Sequence, residues 1–208
     1  MCGPLLELPV MEITYDDNGL VPVVAQDART GEILMLAWAN EEAMALTVST
    51  GDLHLWSRSR EELWRKGATS GSVMRVQALR TDCDGDAVVA LVDPAGPACH
   101  TGARSCFAQD DSQEKVPFEA LPALERTIDA RAASREAGSY TVELLESPAL
   151  AGEKVTEEAG EVVLAVANES DQRVDEEAAD LLYHLSVLVS SRGRSLADAA
   201  RVLLERAR

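Results

Sequence analysis

Up to about residue 107 the apolar positions come in short runs, and beyond it they step at helical spacing. Val21-Pro22-Val23-Val24-Ala25, Ile33-Leu34-Met35-Leu36-Ala37-Trp38, Leu53-His54-Leu55-Trp56, Val73-Met74-Arg75-Val76 and Ala87-Val88-Val89-Ala90-Leu91-Val92 predict strands. Turn signals separate them: Asp16-Asp17-Asn18-Gly19, Arg29-Thr30-Gly31 and Asp93-Pro94-Ala95-Gly96-Pro97. Asn40 is placed to cap one helix running from Glu41 to about Ser49, with Gly51 past its end. Residues 1–107 therefore predict an α+β domain.

Residues 108–117 are polar and aperiodic, which predicts a linker. Residues 118–208 predict an all-α domain. Leu121, Leu124, Ile128 and Ala132 step along one helix that Gly138 stops. Ser147-Pro148 reads as an N-cap followed by proline at the first helical position, and Ser195 to Asp198 as a capping box, with Asp in place of Glu, before a last helix ending near Arg206. Between them, Val155, Ala159, Val162, Val163 and Val166 form an apolar stripe with Glu157, Glu158 and Glu161 beside it. Leu181, Leu185 and Leu188 mark a second core side, flanked by Glu177, Asp180 and His184. Two such helices can gather four or five acids into a cluster that needs Mg²⁺ to be tolerable; equally, they can be amphipathic helices with solvated acids.

Composition narrows the function. The 208 residues carry a formal charge of −17, which excludes a general nucleic-acid binder. The basic residues are uneven: Arg58, Arg60, Arg65, Lys66 and Arg75 fall close together and suggest a local phosphate pocket. No secretory signal or membrane-spanning run is visible, so a cytoplasmic protein with reduced thiols is expected. There, clustered cysteines bind metal more often than they pair. Cys2 stands apart, in an N-terminal segment expected to be mobile.

Cys83, Cys99 and Cys106 are the chemistry-bearing thiols, and Asp82, Asp84 and Asp86 surround the first of them. Thiolates select zinc, and three of them leave a coordination position open, as catalytic zinc sites do. Carboxylates select harder ions such as magnesium. On an ideal strand Asp82, Asp84 and Asp86 would share one face and Cys83 the other, although Gly85 can distort this. The alternatives are a solvated acidic hairpin tip and cysteines that serve as small buried apolar residues. His100, beside Cys99, is a candidate for acid/base work or for orienting water.

Trp56-Ser57-Arg58-Ser59-Arg60, Leu63 through Gly71, Asp82-Cys83-Asp84-Gly85-Asp86 and Ala98 through Phe107 resemble the phosphoribosyl-AMP cyclohydrolase family, with Gln26-Asp27 and Thr30-Gly31 included. The likeness implies zinc on Cys83, Cys99 and Cys106, with Cys83 from one subunit of a homodimer and the other two from its partner. It also implies magnesium on Asp82, Asp84 and Asp86, and zinc-bound hydroxide that attacks C6 of the adenine so that the N1–C6 bond opens. Arg58, Arg60, Lys66 and Arg75, with Thr69-Ser70-Gly71, are candidates to hold the substrate phosphates.

Glu158-x-x-Glu161 followed by Glu177-x-x-Asp180 resembles the all-α, MazG-like nucleoside triphosphate pyrophosphohydrolases. With Gly138-Ser139-Tyr140-Thr141 and Asp180-Leu181-Leu182-Tyr183-His184 it is most similar to the phosphoribosyl-ATP pyrophosphohydrolase family. That likeness implies magnesium on Glu157, Glu158, Glu161, Glu177 and Asp180, with Lys154 a candidate phosphate ligand. Together the two likenesses imply a bifunctional, cytoplasmic enzyme of histidine biosynthesis whose second domain makes phosphoribosyl-AMP from phosphoribosyl-ATP and whose first domain consumes it. A zinc nucleoside deaminase is a rival, but its H-x-E and P-C-x-x-C are absent. A general house-cleaning pyrophosphohydrolase and a non-catalytic zinc interaction module remain as alternatives for the separate halves.

Overall fold

Alternation of buried and half-exposed residues along β1 (Val21–Asp27) marks it as the centre of a sheet. The computed structural model describes residues 12–107 and 116–207 and divides the chain into two compact units, Met1–Glu114 and Lys115–Arg208. Cys2 and residues 108–115 of the expected linker lie outside the described residues. Pro117, at the linker's end, opens a short 3-10 turn, Pro117–Glu119.

The first unit is a six-stranded mixed sheet in the order β4-β3-β2-β1-β6-β5. β1 pairs in parallel with β6 (Val88–Pro94) and antiparallel with β2 (Ile33–Ala39); β5 (Met74–Thr81) closes one edge against β6. The far edge is β3 (His54–Ser57) with β4 (Glu62–Arg65), a four-residue strand rich in charge that hydrophobic pattern alone did not predict. In β5 the buried side chains are Met74, Val76 and Leu79, a step that alternation forbids. A register shift between Val76 and Ala78 supplies the extra residue and returns Leu79 to the core.

The predicted helix forms as α1 (Glu41–Thr50), with Asn40 accepting from the Ala43 amide and Gly51 closing the other end at φ +73. It buries Ala43, Met44 and Thr47 against Leu34, Leu53 and Leu55. The Thr47 hydroxyl accepts from the His54 amide at 2.9 Å and donates to the Ala43 carbonyl at 2.8 Å, tying helix to strand.

The second unit is all-α: α2 (Ala120–Ser134), α3 (Tyr140–Glu146), α4 (Pro148–Asn168), α5 (Asp171–Ser190) and α6 (Leu196–Arg206). α2 stops earlier than expected, capped by Arg135 at φ +47; Gly138 belongs to the turn before α3. Ser147 and the Ser195–Asp198 box cap α4 and α6 as their sequences dictate. Ile128, Leu144, Ala151 and Val187, one from each of α2 to α5, make a small core.

The expected apolar stripe of α4 does not bury as predicted, since Val163 and Val166 are exposed while Glu158 is buried. On α5 likewise the buried residues are Glu177, His184, Ser186 and Val187, with Leu181, Leu185 and Leu188 half-buried. Charged side chains thus occupy inner positions that periodicity assigned to valine and leucine. No helix among the described residues is long and apolar enough to cross a membrane.

Candidate metal centres

The β5–β6 hairpin returns through residues 82–87, and the return gathers three acids at its tip. A turn forms in place of the ideal strand considered for Asp82 to Asp86. Gly85 makes it at φ +76, where a Cβ would stand 2.7 Å from the Glu12 carbonyl oxygen, so only glycine fits. Thr14 secures the turn, its amide donating to the Gly85 carbonyl at 2.8 Å and its hydroxyl to that of Asp84 at 3.1 Å. Asp82, Asp84 and Asp86 each still offer an oxygen within 4.8 Å of the others.

A hydrogen bond to Asp82 raises the Asp86 pKa, and the charges of Asp84 and Asp82 add to it. At Asp82 burial pushes upward, but hydrogen bonds from the Ala87 amide and Asp86 outweigh it and its pKa falls. A cation among the three would relieve the repulsion between their charges. An all-oxygen donor set of this kind fits a hard divalent ion.

Cys99 and Cys106 meet on the loop after β6. The Cys99 amide donates to the Ala103 carbonyl and the Gly102 amide to the Cys99 carbonyl, both at 3.1 Å, which folds the loop tightly. The Thr101 hydroxyl donates to Cys99 Sγ at 3.1 Å and, with the Thr101 amide, lowers that thiol's pKa below its ordinary value. Burial pushes the Cys106 thiol up, and neighbouring Cys99, to which it is hydrogen-bonded, adds to the rise. The pair joins one thiol of lowered pKa to one of raised pKa, a soft donor set suited to zinc.

In metal-free protein, iodoacetamide should therefore label Cys99 ahead of Cys106 near neutral pH, with the gap narrowing as pH rises. Mass mapping of a labelling time course checks this, and equal rates at neutral pH would contradict it.

Cys83 stays with the aspartates, exposed, its Sγ 4.0 Å from Asp84 Oδ1. Among the described residues the only groups of three potential ligands are carboxylate groups, so one chain joins two of the three thiols. His100 is exposed beside Cys99, with Nδ1 3.8 Å from Sγ.

Most of the five clustered cations expected to line a phosphate pocket already have partners within the protein. Arg58 stacks on Trp38 at 4.7 Å, and Arg60 pairs with Glu62 at 2.9 Å. Arg65 Nη1 lies 3.1 Å from Asp52 Oδ2, and Arg75 Nε approaches Oδ1 at 3.5 Å without hydrogen-bond geometry. Lys66 is buried, its ammonium donating to the Ala98 carbonyl at 2.8 Å, which is at odds with a phosphate-gripping role. Thr69, Ser70 and Gly71 stand exposed on a turn whose entry, Gly67 at φ +83, has no room for a Cβ beside the Ser72 main chain.

In the helical unit Glu158 and Glu161 of α4 converge with Glu177 of α5, ligand oxygens within 4.8 Å. At an effective dielectric of about 20 such charges repel by roughly 3 kcal/mol per pair, which a divalent cation would relieve. Glu157 and Asp180 stand outside this group, so the expected set of five is three here. Glu157 is one residue (about 100°) round the helix from Glu158, and Lys154 holds it outward at 2.6 Å. That pair also occupies Lys154, the candidate phosphate ligand.

Asp180 is exposed and contributes its main chain: its carbonyl accepts from His184 Nδ1 at 2.9 Å. A carbonyl only accepts, so the imidazole carries a proton on Nδ1, and Nε2 lies 3.3 Å from the Tyr140 hydroxyl. Glu158 Oε1 lies 3.5 Å from Nδ1, and Arg173 contacts Glu177. Sequence reasoning gave no role to Tyr140, Arg173, Thr101 or Arg104. Tyr140, Thr101 and Arg104 lie inside the motifs quoted above; Arg173 lies outside them, and its only signal was its i,i+3 and i,i+4 spacing to the acids of the same helix.

Known proteins resemble the chain throughout. The family profile of phosphoribosyl-AMP cyclohydrolase matches residues 35–108, and that of phosphoribosyl-ATP pyrophosphohydrolase matches residues 121–207. The histidine biosynthesis bifunctional protein HisIE of Bacillus subtilis is 42% identical over 198 residues, 94% of this chain and 95% of that protein. Its namesake in Thermus thermophilus is 45% identical over 94% of this chain and 92% of its own length. The one in Halalkalibacterium halodurans is 44% identical over 96% and 97%.

Proposed function

Because the chain belongs to the family of bifunctional histidine-biosynthesis proteins that join a phosphoribosyl-AMP cyclohydrolase to a phosphoribosyl-ATP pyrophosphohydrolase, we propose that its two units run these reactions in succession, each on its own metal. The helical unit hydrolyses phosphoribosyl-ATP to phosphoribosyl-AMP and pyrophosphate, and the sheet unit adds water at C6 of that product and opens the N1–C6 bond. The observation that carries the reading is that each matched segment contains its own convergent donor set.

Cys99 and Cys106 of one copy, with Cys83 of a second, would hold zinc, which lowers the pKa of water to roughly 7. The separation of Cys83 from the other two thiols within one chain supports a shared site. A homodimer is also supported by apolar side chains left uncovered on the helical unit, such as Val166 at 67% and Leu204 at 70% exposure. Asp82, Asp84 and Asp86 would hold one magnesium, and Glu158, Glu161 and Glu177 another, where the ion neutralises phosphate charge.

The Asp180 carbonyl and the Tyr140 hydroxyl hold the His184 ring beside Glu158, Nδ1 lying 3.5 Å from Oε1. His100 stands beside Cys99 where it can take a proton from, or give one to, the reacting water. The three free thiols among the described residues suit a reducing compartment, the cytoplasm.

The test is incubation with phosphoribosyl-ATP, Mg²⁺ and Zn²⁺, following products by mass spectrometry. Phosphoribosyl-AMP should appear and then give way to a species heavier by one water. Accumulation of phosphoribosyl-AMP without further change would remove the first activity. Cleavage of ordinary nucleoside triphosphates as fast as phosphoribosyl-ATP would make the helical unit a general house-cleaning enzyme.

A further inference from the structure

Two cations grip the Cys99–Cys106 loop from within the sheet unit, and the chemistry above uses neither. Arg104 reaches back to the β1–β2 connection, Nη2 lying 2.5 Å from Asp27 Oδ2 and Nε 2.8 Å from Glu32 Oε2. Both acids are fixed independently of it. Asp27, 4% exposed, accepts from the Arg29 and Thr30 amides at 2.8 and 3.0 Å, and Glu32 accepts from the Thr30 hydroxyl at 2.9 Å. At the loop's start, buried Lys66 donates to the carbonyl of Ala98, the residue before Cys99.

Between these anchors the Ala98 amide donates to the Arg104 carbonyl at 3.0 Å. The Ser105 hydroxyl donates to the Ile33 carbonyl, and the Cys106 amide to that of Leu34, both at 2.8 Å.

We propose that Lys66 and Arg104 are positioning residues that hold Cys99 and Cys106 side by side before any metal arrives, Lys66 fixing the start of the loop and Arg104 its end. This rests on the reading that the two thiols bind zinc. Each cation is bonded to a rigid part of the fold on one side and to the loop on the other, so removing either loosens one end. Groups that orient metal ligands in this way typically matter by 10–100-fold in metal affinity.

The test uses full-length, zinc-loaded protein and a chromophoric chelator. Lys66→Met and Arg104→Gln should each speed zinc release by about 10- to 100-fold. In metal-free protein Lys66→Met should accelerate hydrogen exchange at the Ala98 amide, and Arg104→Gln at the Cys106 amide. Arg104→Lys should recover only part of the loss, because one ammonium lacks the fork that engages two carboxylates. Glu32→Gln keeps the Asp27 pair and should give a smaller acceleration, which covers the case in which Arg104→Gln misfolds. Parental release rates and parental exchange at these two amides would overturn the clamp. A parent protein that takes up no zinc would overturn the metal reading itself.

Discussion

Cys99→Ala is expected to lower the rate of adenine ring opening by roughly a thousand-fold or more, while pyrophosphate release from phosphoribosyl-ATP continues at the parental rate. The substitution removes one of two thiols that a single chain brings together, and the thiol with the depressed pKa. Cys99 is a cleaner target than Cys106, which packs against the hydrophobic core of the sheet unit and whose truncation would leave a void. Cys99 lies on a loop held by main-chain bonds at Ala98 and Cys106, so its side chain can be shortened without unpicking the fold. The assay supplies phosphoribosyl-AMP and phosphoribosyl-ATP separately and follows both products. Parental ring opening in this variant would remove Cys99 from the site, and equal loss of both activities would argue against two separate centres.

The second large effect is the converse. Glu158→Gln should slow pyrophosphate release by roughly a hundred- to a thousand-fold while ring opening of supplied phosphoribosyl-AMP stays parental. Gln keeps the shape of Glu158 beside His184 but leaves the group with Glu161 and Glu177 one charge short of what it offers a divalent ion. In metal-free protein the same change relieves repulsion between crowded carboxylates, so the thermal midpoint should hold or rise. A fall in that midpoint would attribute the lost activity to misfolding, and retained pyrophosphate release would exclude Glu158 from the centre.

Much of the local structure was legible in the chain because its causes are local. Asn40 and Gly51 bound α1, Ser147-Pro148 opens α4 and Ser195 with Asp198 opens α6, since a cap depends on residues within one turn. β4 was missed because four residues with charged ends carry no alternation, and its pairing with β3 creates it. The extra residue in β5 was equally hidden, because register is a property of two strands.

The candidate sites divide in the same way. Residue chemistry named the thiols and acids, and helix geometry made Glu158 and Glu161 neighbours. It could not separate Glu158 from Glu157, which Lys154 turns outward, nor foresee that Asp180 would offer a carbonyl where a carboxylate was expected.

The order of amino acids by itself determined the division into a strand-rich and a helical half, the kinds of donor atoms available, both ends of α1 and α6 and the start of α4, because propensity, capping and ligand chemistry act over a few residues. Tertiary structure alone decided which three carboxylates converge on α4 and α5, that Cys99 and Cys106 meet without Cys83, and that Lys66 turns inward to Ala98. Those outcomes depend on which faces of distant segments come into contact, and the burial of a charge is settled only by the partner that receives it.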